Sequence, residues 1–294
     1  MGAKARAKAR AKRQQSIIPP SYIPSNTPLV ASLLIALCPF ASLIAGPRMS
    51  HLLSKYFLPS PSPIVLMQEL TGTLLPLLRA PSSLIHTQQI RPGPSSGVGL
   101  DLSYGCGVLI DPSSPSYMTV FAGTFLFLNS NQSRGLTFVC VQHPEVESLK
   151  VLICSTHLES WTGPDSNGAR ERVKQVKEIA SFSHALVSLG VCSAVVVAGD
   201  FNWDDEHLPK SKRKLCDPPL LPLLPGWFDA YRLVSPTSPG LTYDAKTNPM
   251  LSGGLRRRFD RILVYSPTEV TGVKVDVEDV RITGAEEVLG GLHR

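Results

Sequence analysis

The chain has 294 residues, 43% of them hydrophobic and 18% charged, proportions that suit one large α/β domain or two small ones and exclude a collagen-like or wholly disordered chain. Its formal charge of +6 is unevenly placed: residues 1–68 hold Lys4, Arg6, Lys8, Arg10, Lys12, Arg13, Arg48 and Lys55 and no Asp or Glu, leaving 21 Lys and Arg against 23 Asp and Glu in the other 226 residues. The body is thus close to neutral at −2, which excludes nucleic-acid affinity through overall charge and leaves it to local patches.

In chain order, residues 4–13 alternate basic side chains with alanine, a pattern that suits an organelle transit segment, a nuclear address, a nucleic-acid tether or a solvated tail. Residues 28–46 form an uncharged run of nearly membrane-spanning length, interrupted by Pro39, and Met49 offers an alternative start. Residues 1–60 are therefore expected to be a targeting or disordered segment, with a membrane anchor as the alternative, and residues 61–294 to be the folded domain. From Ser60 onward, short apolar runs alternate with Pro, Ser, Gly and Asn clusters. The runs predict strands over 64–68, 105–110, 120–128, 136–142, 149–156, 194–199, 261–265 and 273–277.

Two helices are predicted, over 72–79 and 169–189. The second carries Val173, Val176, Ile179, Ala180 and Leu186 at helical spacing, with Arg172, Lys174, Lys177 and Glu178 expected mostly on the opposite, solvent side. Residues 82–103 and the basic 210–214 are expected as loops. Hairpin-like connections and few helices point to two sheets flanked by helices rather than a repeating βαβ barrel. The six cysteines show no Cys-x-x-Cys pair and no zinc-ligand spacing, which predicts buried, reduced thiols and an intracellular compartment.

Four polar clusters sit at strand ends. Glu69 follows a buried-type run, and a carboxylate there is costly unless it meets a cation or donors, so it is a candidate magnesium ligand beside the alternative of a plain surface Glu. His157, in Ser155-Thr-His-Leu-Glu-Ser160, could stabilise charge on a phosphate, or serve the fold alone. In Gly199-Asp-Phe-Asn202, extended geometry would aim Asp200 and Asn202 at one face, one to take a proton from water and the other to hold a phosphate. The alternative is a turn-forming Gly-Asp. Asp260 enters the apolar run 261–264, where it could orient a catalytic imidazole or join Arg261 in a structural ion pair.

Together with Glu171-Arg-Val-Lys-Gln-Val-Lys-Glu178, Gly226-Trp-Phe-Asp-Ala230, Leu241-Thr-Tyr-Asp244, Met250-Leu-Ser-Gly253 and Arg258-Phe-Asp-Arg261, these clusters resemble the endonuclease/exonuclease/phosphatase superfamily over residues 64–294. Within it they look like the tyrosyl-DNA phosphodiesterase 2 family, especially its plant-type members. The resemblance implies a four-layer α/β sandwich of two mainly antiparallel sheets flanked by helices, and a hydrolase that depends on magnesium, with manganese as the alternative. It implies that Glu69 holds the metal, Asp200 activates water, Asn202 and His157 contact the phosphate, Asp260 orients a catalytic histidine and Tyr243 lines the substrate. The implied substrate is the phosphodiester joining a topoisomerase tyrosine to a DNA 5′ end, and the implied process is DNA repair in the nucleus or cytoplasm, with organelle or membrane targeting as the alternative. Other readings keep the fold and change the substrate to an RNA 3′ end or a phospholipid, or make the chain an inactive binding module. The family's first strand ends in an Asn and its last motif is Ser-Asp-His; neither is found, so the domain is expected to be incomplete at its C-terminus.

Overall fold

The computed structural model describes residues 32–37, 63–71, 85–91, 104–111, 113–160, 168–205, 217–247, 254–280, 287–288 and 292–293. In chain order the strands are β1 (Ser32–Leu37), β2 (Pro63–Thr71), β3 (Ile85–Arg91), β4 (Tyr104–Ile110), β5 (Met118–Leu126), β6 (Gly135–Gln142), β7 (Lys150–His157), β8 (Ala194–Asp200), β9 (Trp227–Asp229), β10 (Tyr243–Asp244), β11 (Arg256–Arg257), β12 (Asp260–Tyr265), β13 (Glu287–Val288) and β14 (Leu292–His293). The α-helices are α1 (Ala169–Ser188), α2 (Ala230–Val234) and α3 (Thr268–Thr271).

Valine- and isoleucine-rich runs fit a pleated, buried surface, and here they build two sheets of order β1-β2-β4-β3 and β5-β6-β7-β8-β12-β9. Alternation along the larger sheet sorts its side chains. Val139, Val141, Val151, Ile153, Ala194 and Ala198 meet Ile64, Leu66, Val108 and Ile110 of the smaller sheet in an inter-sheet core. Cys140, Leu152, Cys154, Val195, Val197 and Leu263 face the other way, onto Val176, Ile179, Ala180 and Val187 of α1. On the smaller sheet, Val65, Met67 and Leu109 are wholly buried on the face that alternates with the core-facing residues, so that face is covered as well. The expected sandwich of two sheets with flanking layers is the architecture observed. Cys106, Cys140, Cys154 and Cys192 are buried free thiols, while Cys38 and Cys216 lie outside the described side chains.

Several boundaries differ from the expectation. Within 28–46, Ser32–Leu37 is a strand that pairs in parallel with β2 over six positions, so part of the segment assigned to targeting belongs to a sheet. Among the described residues no helix is long and apolar enough to cross a membrane. Within 82–103, read as loop, β3 pairs with β4 over seven positions and is the edge of its sheet among the described residues. Residues 273–277, predicted as a strand, have no regular structure; at their start the Ser266 and Thr268 hydroxyls donate to the Val273 carbonyl. The helix predicted over 72–79 and the basic loop 210–214 lie outside the described residues.

The second helix appears as predicted, with one exception in its surface. Arg172, assigned to solvent, is fully buried: its guanidinium takes both oxygens of Asp217 at 2.9 and 3.0 Å and donates to the Glu159 carbonyl at 2.8 Å. A partner 45 residues away, invisible to helical periodicity, draws it inward.

Candidate active site

Three adjacent strands deliver acidic and imidazole groups to one rim. Parallel pairing of β7 and β8 places His157 beside Asp200, and antiparallel pairing of β8 and β12 places Asp260 across from Asp200. Ile153 and Ala198 face the inter-sheet core and Ile262 packs against it, so alternation carries His157, Asp200 and Asp260 onto that same face where the core ends. From the smaller sheet, the ladder between β2 and β4 shifts register between Met67 and Leu70. Glu69 lies in this bulge with φ 56°. A bulge re-aims a side chain that regular pleating would turn elsewhere, and Glu69 consequently feels the charges of Asp200 and Arg134.

Close packing of β7 on β8 depends on glycine at one position. Gly199 has φ 142°, and a Cβ there would lie 2.0 Å from the Thr156 carbonyl oxygen. Immediately beyond, Asp200 ends its strand, and the chain does not continue extended as expected. Asn202 turns into the left-handed region at φ 49°, its backbone N–H donates to Asp200 Oδ1 at 2.7 Å, and its side-chain Nδ2 donates to the Leu158 carbonyl at 3.1 Å. Asparagine is among the few residues that adopt this conformation readily. Asp200 and Asn202 thus share the rim through a local turn rather than through a two-residue strand repeat.

His157 is buried between two charged groups. Its Nδ1 stands 2.8 Å from Arg134 Nη1, and its Nε2 stands 3.6 Å from Asp200 Oδ2. Because guanidinium only donates, Nδ1 is the acceptor and the ring proton sits on Nε2, facing Asp200. Burial foremost, and the Arg134 charge after it, hold this imidazole well below its ordinary range, so it is neutral.

The carboxylates move the other way. Burial, then the Asp200 charge, push Glu69 up to about 7, with Arg134 opposing. Burial pushes Asp200 up to about 6 against the Asn202 N–H and the charges of Arg134 and Arg172. Burial, then the Asp200 charge, raise Asp260 to about 8 against a hydrogen bond with Thr242. Asp260 Oδ1 is buried with no hydrogen-bond partner among the described residues. Crowded carboxylates of this kind suit a hard divalent cation, and Glu69, reached by the bulge, is the group that would hold it. Among the described residues no three His, Cys, Asp or Glu side chains gather as a protein-only metal cage; magnesium ordinarily takes one or two carboxylates and completes its shell with water and phosphate.

Five of the six residues singled out from sequence, Glu69, His157, Asp200, Asn202 and Asp260, therefore converge. Tyr243 stands apart on the β10–β11 hairpin, opposite Arg257 and edge-on to Phe259 at 5.7 Å. It is tied to the rim through Thr242, whose hydroxyl accepts from the backbone N–H groups of Phe259 and Asp260 at 3.1 Å each. Asp260 neighbours Asp200 and Thr242, while the His157 ring is held by Arg134 and Asp200.

Sequence reasoning missed Arg134, which is buried and influences Glu69, His157 and Asp200 together. Its signal was slight: a lone basic residue just before an apolar strand. It gave no role to Gln68, buried beside Glu69, whose Nε2 donates to Ser155 Oγ at 2.9 Å while that hydroxyl donates to the Met67 carbonyl at 3.0 Å. This pair stitches the two sheets together directly beneath the rim.

No protein-family model and no curated protein matches the chain. Solved structures do. A truncated TDP2 from Caenorhabditis elegans aligns with TM-score 0.62 at 19% identity, covering 86% of this chain and 86% of that one. TDP2 of D. rerio, complexed with a single-strand DNA product, aligns with TM-score 0.63 at 20% identity over 88% and 93%. An endonuclease/exonuclease/phosphatase from Bacteroides vulgatus aligns with TM-score 0.57 at 14% identity over 81% and 87%. The chain is similar to these proteins in fold, the α/β sandwich of endonuclease/exonuclease/phosphatase structures.

Proposed function

We propose that this chain, built on the endonuclease/exonuclease/phosphatase fold, is a magnesium-dependent phosphodiesterase that hydrolyses the bond between a tyrosine and a DNA 5′ end. The observation that carries the reading is the convergence of Glu69, His157, Asp200, Asn202 and Asp260 on one rim of the sandwich, delivered by strands from both sheets. The D. rerio structure, complexed with a single-strand DNA product, supports DNA as the partner. Topoisomerase–DNA adducts, and a place in DNA repair in the nucleus or cytoplasm, follow from the same reading.

Each residue then has a role set by its environment. Asp200, brought to about 6, is ionised yet still basic near neutral pH, as a group that accepts a proton from attacking water should be. Neutral His157 points Nε2–H into the rim and donates to a phosphate oxygen as negative charge grows there. The Asn202 amide, braced on the Leu158 carbonyl, presents its second N–H to the phosphate. Asp260 Oδ1 is the acceptor through which an imidazole would be oriented. Tyr243, on the hairpin tied to the rim through Thr242, would supply an aromatic wall to the substrate. A magnesium ion held by Glu69 would supply Lewis-acid polarisation of the phosphate and offset charge in the transition state.

The test is a substrate panel with magnesium, manganese or EDTA: a 5′-phosphotyrosyl oligonucleotide, an RNA with a free 3′ end and a phosphoinositide. Metal-dependent turnover confined to the first supports the reading. Preference for either of the others would move the substrate while keeping the chemistry, and metal-independent turnover would overturn it.

A further inference from the structure

Arg134 stands behind His157 rather than in front of it, and its own position is fixed. Gln132 Oε1 accepts from Arg134 Nε at 3.1 Å and Nη2 at 3.0 Å, and also from the backbone N–H and hydroxyl of Ser160 at 2.9 and 2.8 Å. Arg134 Nη2 lies 3.3 Å from Ser160 Oγ as well. The backbone N–H of Arg134 donates to Ser130 Oγ at 2.7 Å, and that hydroxyl donates to Glu159 Oε2 at 2.7 Å. Glu159 is itself buried, and its backbone N–H donates to Gln175 Oε1 of α1 at 2.9 Å. The turn that precedes β6, the segment that follows β7 and α1 therefore lock one guanidinium in place. Its remaining Nη1 is aimed at His157 Nδ1 at 2.8 Å.

We infer that Arg134 is a positioning residue which, clamped by Gln132, fixes His157 in the tautomer that carries its proton on Nε2 and so makes His157 a hydrogen-bond donor to the reacting phosphate. A free imidazole exchanges its proton between the two nitrogens, and in a buried site without a donor at Nδ1 a share of molecules would turn a lone pair toward the phosphate, where it repels. A guanidinium has no acceptor and does not lose its proton, so it enforces one tautomer wherever the ring is neutral. The more familiar device is a carboxylate or carbonyl behind a histidine, which fixes the opposite tautomer. This arrangement excludes His157 as a base at Nδ1 and leaves proton acceptance to Asp200. The inference rests on the phosphodiesterase reading for its catalytic consequence, but the tautomer can be read without turnover.

The experiment has two arms on the full chain. In the first, ring 15N shifts and couplings of His157, assigned with His157→Gln, are recorded for the wild type, Arg134→Met and Arg134→Lys, with circular dichroism to confirm folding. The wild type should show an unprotonated Nδ1 and a protonated Nε2, Arg134→Met should mix the tautomers, and Arg134→Lys, which keeps a donor, should retain most of the wild-type pattern. A wild-type proton on Nδ1 overturns the inference even if neither variant folds. In the second arm, on 5′-phosphotyrosyl DNA, Arg134→Met should lower kcat roughly 10- to 100-fold, as loss of a supporting partner does, with KM changed less than about threefold. An unchanged kcat in folded Arg134→Met also overturns it. If the wild type does not turn this substrate over, the function reading fails and the nitrogen spectra still decide the tautomer.

Discussion

Replacing Asp260 with asparagine should stabilise the metal-free protein at pH 8 and leave it nearly unchanged at pH 4. Asp260 is held up at about 8, against an ordinary value of 3.8, by burial and by the Asp200 charge across the β8–β12 ladder. Between those two values the folded protein keeps a proton that the unfolded chain has released, so stability falls as pH rises through the window. Glu69, raised from 4.5 to about 7, and Asp200, raised from 3.8 to about 6, act in the same direction over narrower windows. An asparagine removes the charge and keeps the shape. Relieving one buried carboxylate with an unpartnered oxygen should contribute on the order of 2 kcal/mol at pH 8. At about 2–4 °C per kcal/mol, that raises Tm by about 4–8 °C. Thermal unfolding followed by circular dichroism, in EDTA at pH 4 and pH 8, measures it. An equal gain at both pH values, or a loss at pH 8, would refute the electrostatic account of the rim.

Arg172→Met should cost about 3–5 kcal/mol, because Asp217 is left buried without its bidentate partner; the paired replacement with Asp217→Leu should recover most of that, as read by urea unfolding. Gly199→Ala should lower Tm by more than about 6 °C and abolish turnover together, since the added methyl meets the Thr156 carbonyl and wedges His157 from Asp200; unchanged Tm would contradict the packing. Tyr243→Ala should raise KM for a 5′-phosphotyrosyl oligonucleotide at least about threefold with Tm nearly unchanged, since the ring lies on a peripheral hairpin; an unchanged KM would remove it from the substrate site.

What could be read from the residues alone follows how locally each feature is encoded. The strands of the larger sheet announce themselves through runs such as Ala194–Asp200, where β-branched residues end in a polar cluster, and α1 through its apolar spacing. Strand β3 is polar, so nothing in its composition marks it. The two-residue strands β10 and β11 are held by their neighbours rather than by propensity. At the site, Asp200, His157 and Asp260 were legible because each sits where an apolar strand stops. The turn at Asn202 was legible only as the alternative to an extended strand, and the bulge at Glu69 not at all, because positive φ at a glutamate is imposed by surrounding contacts. Arg134 and Arg172 were missed or misplaced for a common reason. Their meaning lies in Gln132, His157 and Asp217, partners brought near by the fold and absent from any local pattern.

The most direct test of the rim as a catalytic centre is to compare the wild type with Asp200→Ala for magnesium-dependent release of tyrosine from a 5′-phosphotyrosyl oligonucleotide. The account predicts turnover by the wild type that disappears in EDTA and falls at least about 10³-fold in the variant, as loss of a central member of a cooperating set does. A folded wild type without turnover, or a variant that retains the wild-type rate, would contradict it.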